Sequence, residues 1–291
     1  MTDAKPILKA GLIGSGIQAS ASPAMHMDEA RGQGFDLSYE LFDLDRVAGG
    51  AAALPRLLDA AQAQGFAGLN ITHPVKQAVI PLLDDLSDDA RALGAVNTVV
   101  FGDGRRTGHN TDWTGFAQNL RRGLPAADLS HVVQLGAGGG GAAAVYALLK
   151  LGAGRVSLHD TSPQRAQALV DVMAPQFGRA RIAVVPDLAD AMAGAAGLVN
   201  CTPVGMAKYP GLPLPADLLR PDLWVADIVY FPLETALLQA ARALGCASLD
   251  GGGMAVFQAA EAFRLFTGAS PDTDRMLARF ARLRPAERLE A

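Results

Sequence analysis

The sequence predicts an α/β protein folded as two domains with a cleft between them, the second domain being a doubly wound parallel sheet. Three observations carry this. The chain has 291 residues, and single hydrophobic cores stop growing near about 250–300 residues, so two domains are expected. Short apolar runs alternate with longer helical patterns nearly throughout, as in α/β folds with largely parallel sheets. A fresh βα series starts in mid-chain at Val132, where an apolar run meets a glycine-rich turn. Half of the residues are hydrophobic and 19% are charged, which supplies two cores and excludes disorder for most of the chain.

In the first series, strands fit 8–13, 37–42, 66–71 and 96–101, with helical patterns over 23–32, 55–64, 76–83 and 88–93. Ser22-Pro23 and Ser87-Asp88 read as helix starts, and Gly65 and Gly94 sit where helices end. Gly102-Asp103-Gly104 reads as a hairpin turn into a strand over 106–110, and a helix over 113–122 closes the series. In the second series, strands fit 132–135, 156–159, 182–185, 197–200 and 223–229, and helices fit 139–151, 163–173 and 233–244. Two amphipathic helices, 254–266 and 272–283, form the tail. The stretch 124–129 and the triplet Gly251-Gly252-Gly253 have the composition of hinges.

With 25 Lys+Arg against 29 Asp+Glu, the formal charge is 25 − 29 = −4. That balance excludes a chain built around nucleic-acid phosphates, while leaving room for a local anion pocket. Cys201 and Cys246 form neither a disulfide framework nor a zinc spacing, and fit buried thiols in a reducing compartment. Lys5 and Lys9 interrupt the N-terminal apolar stretch and spoil a signal-peptide core. The uncharged run 132–149 is long enough to raise the membrane question, but its GAGGGG centre suits a phosphate loop better. The expectation is a cytoplasmic monomer or homodimer with no membrane or nucleic-acid partner.

Val132-Val133-Gln134-Leu135 runs directly into Gly136-Ala137-Gly138-Gly139-Gly140-Gly141, a strand followed by GxGxxG at the mouth of a helix. There Gly136 permits a tight turn, Gly138 lets the backbone approach a pyrophosphate, and Gly141 allows close helix–strand packing. The free N–H groups of the following helix face the phosphates. Asp160 ends the next strand, 160 − 136 = 24 residues after the first glycine, near the roughly 20-residue spacing of a ribose-binding acid. A carboxylate accepts ribose hydroxyls and repels a 2′-phosphate, so NAD is expected over NADP. Asp160 could equally cap the next helix, and Arg165 inside that helix could swing toward a phosphate.

Redox chemistry on an alcohol needs a group that exchanges the hydroxyl proton. Two polar clusters follow predicted strand ends, where α/β folds place ligands: Asn70-Ile71-Thr72-His73-Pro74-Val75-Lys76 and Gly108-His109-Asn110-Thr111-Asp112. Lys76 and Asp112 would make an ion pair there, though most such pairs are only surface salt bridges. His73 and His109 are alternative proton acceptors, and the residues alone leave lysine and histidine level. The five histidines, His26, His73, His109, His131 and His159, show no metal-ligand spacing, so no metal is expected.

Eight segments, taken together and in order, resemble the shikimate dehydrogenase family, closest to its NAD-preferring quinate/shikimate dehydrogenase branch. They are SASPAMH (20–26), GLNITHPVKQ (68–77), GAVNTVV (94–100), GHNTDWTGF (108–116), GAGGGGAA (136–143), NCTPVGM (200–206), DIVYFPLET (227–235) and GGGMAVFQAAEAFRLFTG (251–268). The resemblance implies an N-terminal α/β substrate domain plus a Rossmann dinucleotide-binding domain. The final helices would fold back onto the first domain, giving 1–116 with 252–291 and 117–251. It implies reversible oxidation of shikimate, and of quinate, to the 3-dehydro acid with NAD or NADP. Lys76 and Asp112 match the catalytic pair, with Lys76 handling the hydroxyl proton. Ser20 and Ser22 match hydroxyls that hold the substrate carboxylate. Asn97, Asp112 and Gln258 match residues binding ring hydroxyls, and Thr72 and Tyr230 line the same pocket. The cofactor would meet Gly136, Ala137, Gly138, Gly139, Gly140, Gly141, Asp160, Asn200, Thr202, Pro203 and Gly253.

Plainer readings stand beside these roles. Ser22 before Pro23 is equally an N-cap, whereas Ser20 has no such structural role. Asn97 and Thr72 could satisfy strand-end backbone groups, and Gln258 shares its helix with the apolar Val256, Phe257, Ala260 and Phe263. The chain departs from the family pattern at Ser15, Gly16 and Ala19, where many members show proline and histidine. It also lacks the arginine after His159 that reads NADP in biosynthetic members. Both departures resemble the NAD-preferring branch, which fits a catabolic direction. Ser22, where that branch can carry threonine, resembles shikimate-specific members instead. The competing readings are a dehydrogenase for a related cyclic hydroxy acid such as aminoshikimate, and a non-catalytic ligand-sensing member of the fold.

Overall fold

A computed structural model describes residues 7–283; Lys5 lies outside them. The described chain holds twelve strands and ten α-helices in two compact units. One unit runs to Thr111 and resumes at Gln258, and the other spans Asp112–Phe257.

The first unit contains β1 (Leu8–Gly14), α1 (Ser22–Gly32), β2 (Leu37–Asp43), α2 (Leu54–Ala63), β3 (Phe66–Ile71), β4 (Asp85–Leu86), α3 (Asp88–Leu93), β5 (Thr98–Gly102) and β6 (Arg105–His109). Its sheet runs β2-β1-β3-β5-β6-β4. The strand β1 is parallel to both neighbours, while β3, β5 and β6 are antiparallel in succession. Both faces of β1 are covered, which is why it reads as a continuous apolar run. Ile13 joins a core with Leu58, Leu69, Val79 and Val96, whereas Ala10 and Leu12 face Leu37, Tyr39, Phe263 and Phe266. The last two belong to α9 (Gly252–Thr267), followed by α10 (Thr273–Leu283). Phe266 lies so close to β3 that a Cβ on Gly68 would come within 2.3 Å of its ring. Glu29 of α1, buried, receives the Arg275 guanidinium of α10 and the Asp272 N–H, tying the two helices together.

The second unit contains α4 (Asp112–Gly123), β7 (His131–Leu135), α5 (Gly139–Lys150), β8 (Arg155–His159), α6 (Pro163–Phe177), β9 (Ile182–Val184), α7 (Leu188–Ala193), β10 (Gly197–Asn200), β11 (Trp224–Asp227), α8 (Ala236–Ala243) and β12 (Ala247–Leu249). Its sheet is parallel throughout, in the order β12-β11-β10-β7-β8-β9. This is the doubly wound Rossmann order, and the winding reverses between β7 and β10. Leu135 and Asn200, in register at the ends of those strands, therefore flank the crevice where such sheets bind ligands.

Several expectations need correcting. The pattern over 76–83 forms turns and a 3-10 turn at Ile80–Leu82, not a helix. The Lys76 carbonyl accepts the Val96 N–H at 2.9 Å, and Pro81 has no N–H to continue a helix. The short elements β4, α7 and β12 carry too few residues to show a period. The stretch 124–129 lies within the second unit, and Gly252 and Gly253 open α9. The two compact units divide at Thr111/Asp112 and Phe257/Gln258, within a few residues of the expected 116/117 and 251/252. The uncharged run 132–149 is divided between β7 and α5, and among the described residues no helix is long and apolar enough to cross a membrane.

Candidate active site

Two structures meet at the start of α1. The Asp43 carboxylate, at the end of β2, accepts the Gly16 N–H at 3.1 Å and the Gln18 side chain at 2.9 Å. The Gln18 bond and the backbone N–H groups of Asp45 and Gly16 hold its carboxyl below the usual range. The chain then reaches Ser20, whose Oγ accepts the Ser22 N–H at 3.2 Å. The N-cap position of α1 is Ala21, with no side-chain cap. Ser22 is therefore not the N-cap expected of it, and Ser20, for which no structural role was expected, bonds the backbone there. Both serines are half-buried.

Thr72 follows β3, its N–H bonded to Ile13 O at 2.9 Å. Gly14 makes room for its methyl, since a Cβ there would lie 2.2 Å from Thr72 Cγ2. Lys76 is half-buried, and its backbone is pinned by Val96. Asn97 is buried and does serve the backbone: its Oδ1 accepts the Thr111 N–H at 2.6 Å, and its Nδ2 donates to Thr111 Oγ1 at 2.9 Å. It thereby fixes the residue immediately before Asp112, which opens α4. Gln258 is half-buried on α9 between Phe257 and Ala259, both buried. His73 is exposed, and burial is the main cause that lowers the pKa of His109.

In the second unit the glycine loop has the anatomy its sequence implies. Gly136 adopts φ 93°, and a Cβ on it would come within 2.9 Å of the Cys201 carbonyl. A Cβ on Gly141 would sit 2.3 Å from Gly136 O. Gly138 and Gly139 face open space, with nothing within 4 Å of a Cβ, and α5 has no side-chain cap. The loop therefore leaves helix N–H groups and room for a phosphate, and a dinucleotide fits it.

Asp160 is fixed across this loop. Its oxygens accept Ala137 N–H at 2.7 Å and Ser162 N–H at 2.7 Å, and the Arg165 guanidinium forks over both, at 2.6 and 3.1 Å. Burial pulls its carboxyl up, but Arg165 and the two N–H groups outweigh it and set the pKa at about 2. The cap of α6 is Ser162, not Asp160.

Other members of the expected cofactor set serve the scaffold. Asn200 is fully buried; its amide bonds Val204 O, Thr202 and the Asp227 carboxylate. Thr202 is half-buried and Pro203 exposed on the loop this shapes. A Cβ on Gly253 would meet Asn119 Oδ1 at 1.9 Å, so packing alone requires glycine there. Tyr230 is exposed. Sequence reasoning passed over Asp227, a buried carboxylate that also accepts Val229 N–H and the Thr235 hydroxyl. Burial pushes it up to about 6 despite those bonds. It also passed over Tyr39 and Thr98, and named Asn70 only as part of the polar cluster after β3. Among the described residues no group of three or more His, Cys, Asp or Glu could hold a metal.

Comparison with known proteins covers nearly the whole chain. Residues 12–99 match the shikimate dehydrogenase substrate binding domain, and residues 251–279 match the shikimate 5′-dehydrogenase C-terminal domain. The chain is 60% identical over 275 residues to shikimate dehydrogenase (NADP(+)) of Streptomyces avermitilis, covering 94% of each. It is 51% identical over 278 residues to quinate/shikimate dehydrogenase (NAD(+)) of Corynebacterium efficiens, covering 94% of this chain and 97% of the other. Its fold is similar to that of quinate dehydrogenase from Corynebacterium glutamicum in complex with NAD, with TM-score 0.92 and 49% identity over 95% of this chain and 99% of that one. Shikimate 5-dehydrogenase from Listeria monocytogenes, in complex with shikimate and NAD, gives TM-score 0.85 and 32% identity over 93% and 95%.

Proposed function

The chain belongs to the shikimate dehydrogenase family, and on that premise we propose that it catalyses the reversible oxidation of shikimate, and of quinate, to the 3-dehydro acid, with NAD preferred over NADP. The observation that carries this reading is the retention of Lys76 and Asp112, with the Ser20/Ser22 pair, in a chain of that fold. Lys76 takes the proton of the reacting hydroxyl, and Asp112 accepts a hydrogen bond that orients it. Ser20 and Ser22 donate to the substrate carboxylate, and Asn97 and Gln258 to ring hydroxyls, beside Thr72 and Tyr230. NAD, when bound, accepts the hydride. The loop from Gly136 to Gly141 would hold its pyrophosphate, Asp160 its adenosine ribose, and Thr202, Pro203 and Gly253 its remaining length, with Asn200 shaping their loop.

The cofactor preference is supported by the rigid placement of Asp160 beside the glycine loop. A specific observation favours the second reading, NADP. The Streptomyces relative is named for it, and Arg165 already stands over Asp160, where it could turn to a 2′-phosphate. Initial rates with shikimate or quinate, each with NAD or NADP, decide both questions. NAD well above NADP on either acid supports the proposal, and activity with NADP alone reverses the cofactor assignment. No turnover in any combination leaves the related-acid and ligand-sensing readings.

A further inference from the structure

A chain of polar side chains runs through the core of the first unit. The Tyr39 hydroxyl on β2 donates to Asn70 Oδ1 on β3 at 2.7 Å. Asn70 Nδ2 donates to Thr98 Oγ1 on β5 at 3.1 Å, and the Thr98 hydroxyl donates to Asn97 Oδ1 at 3.1 Å. Asn97 closes the chain on Thr111, through the two bonds already described. All five side chains are buried. The His26 ring, 4.8 Å from that of Tyr39, covers the phenol, and the Ser22 hydroxyl stands beside it.

Such a chain is costly to bury unless every member is bonded, and apolar residues of the same shape would hold the sheet as well. Valine at 98, leucine at 70 and phenylalanine at 39 all suit a buried strand. What the polar side chains add is direction. An amide whose Oδ1 is held by two donors can present its Nδ2 one way only. The amide so fixed is that of Asn97, and the backbone it holds leads into Asp112.

We propose that Tyr39, Asn70 and Thr98 are positioning residues for the dehydrogenase reaction, fixing the Asn97 amide and the backbone that carries Asp112. This rests on the roles proposed above for Asn97 and Asp112.

Thr98→Val and Thr98→Ser separate this from simple packing. Valine keeps the volume and loses the hydroxyl, while serine keeps the hydroxyl and leaves a small void. Thr98→Ser is expected to stay within about 3-fold of the parent kcat/KM for shikimate, and Thr98→Val to fall by about 10-fold or more, with the NAD dissociation constant of both within about 2-fold of the parent. Valine matching or exceeding serine overturns the inference, as does a loss that tracks weakened NAD binding. Tyr39→Phe, which deletes a single hydroxyl, is expected to lower kcat/KM for shikimate in the same way and covers the case of a valine variant that does not fold; parity with the parent overturns the inference there too. A parent inactive toward shikimate and quinate with either cofactor overturns the proposed function, and this inference with it. An active parent with the wrong ranking overturns this inference alone.

Discussion

His26 should make the protein acid-sensitive well above the carboxylate range. It lies on α1 with no exposed surface, and neither ring nitrogen has a hydrogen-bond partner among the described residues. Its ring contacts Tyr39, Phe263 and Phe266 at centroid distances of 4.8, 6.0 and 5.9 Å. Burial lowers its pKa from 6.5 to about 3. The unfolded chain therefore binds a proton as pH falls through 6.5, while the folded chain holds it off until about pH 3. Stability is fully present above pH 6.5 and is lost below it at about 1.4 kcal/mol per unit, or about 2 kcal/mol by pH 5. At roughly 2–4 °C per kcal/mol for a protein of this size, Tm should drop about 4–8 °C from this group alone. His26→Leu removes the titration, and only the pH slope is compared, so the packing change cancels. Asp227, raised to about 6, acts oppositely, since the folded state takes its proton first and gains stability as pH falls below 6. That contribution is common to both proteins and cancels too. Asp160, at about 2, loses its stabilising effect only at lower pH. Trp113 and Trp224 both lie in the second unit, so far-UV dichroism or calorimetry is the assay, not tryptophan fluorescence. Equal Tm losses in parent and His26→Leu between pH 7 and pH 5 would refute the assignment.

Three further outcomes follow from the site. Lys76→Ala should abolish turnover and leave the NAD dissociation constant within about 2-fold by titration, since its role is in the reacting complex; retained turnover would move proton transfer to His73. Asp160→Ser should lower kcat/KM with NAD by about 10–100-fold, the worth of charge-assisted hydrogen bonds, and leave NADP unchanged or improved because Arg165 is released; equal losses with both cofactors would contradict the ribose role. Gly141→Ala places a Cβ 2.3 Å from Gly136 O, so calorimetric titration should show NAD binding weakened by about 10-fold or more, as expected where a loop must shift to accommodate a methyl. Unchanged affinity would mean that the loop's closeness to α5 is not what shapes the phosphate site.

Much of this fold is legible in the sequence because its strands are buried on both faces. Runs such as 66–71 and 197–200 are mostly apolar, each with one asparagine, and match β3 and β10 end to end. The segment 76–83 misleads for a physical reason. Val75, Val79 and Leu83 carry helical spacing, but the Lys76 carbonyl is spent on Val96, a partner 20 residues away (96 − 76) that no local pattern reveals. The same limit governs the site. The glycine loop is readable because each glycine answers a local steric demand, at φ 93° or against a neighbouring carbonyl. Gly253 looks alike in sequence, yet its demand comes from Asn119. Ser22 is not the cap expected of it because α1 begins one residue earlier than the sequence suggests, which puts Ala21 at the N-cap position and leaves Ser20 Oγ to accept the Ser22 N–H.

The polar chain under Asn97 shows the limit at its strongest. Tyr39 and Thr98 are ordinary strand residues by propensity, so nothing marks them locally as anything else. Their meaning comes from register. Asn70 stands directly opposite Thr98 across β3 and β5, and opposite Leu12 across β3 and β1, while Tyr39 stands opposite Ala10 on the far side of β1. The phenol therefore has to cross a whole strand, β1, to reach the amide. A one-residue slip of β2 would send Tyr39 to the opposite face and leave Asn70 Oδ1 buried without its donor. The alignment of β2 is thus tied to the orientation of Asn97 by a single hydroxyl. Substitutions on a strand remote from Lys76 should therefore register in substrate kinetics before they register in cofactor binding.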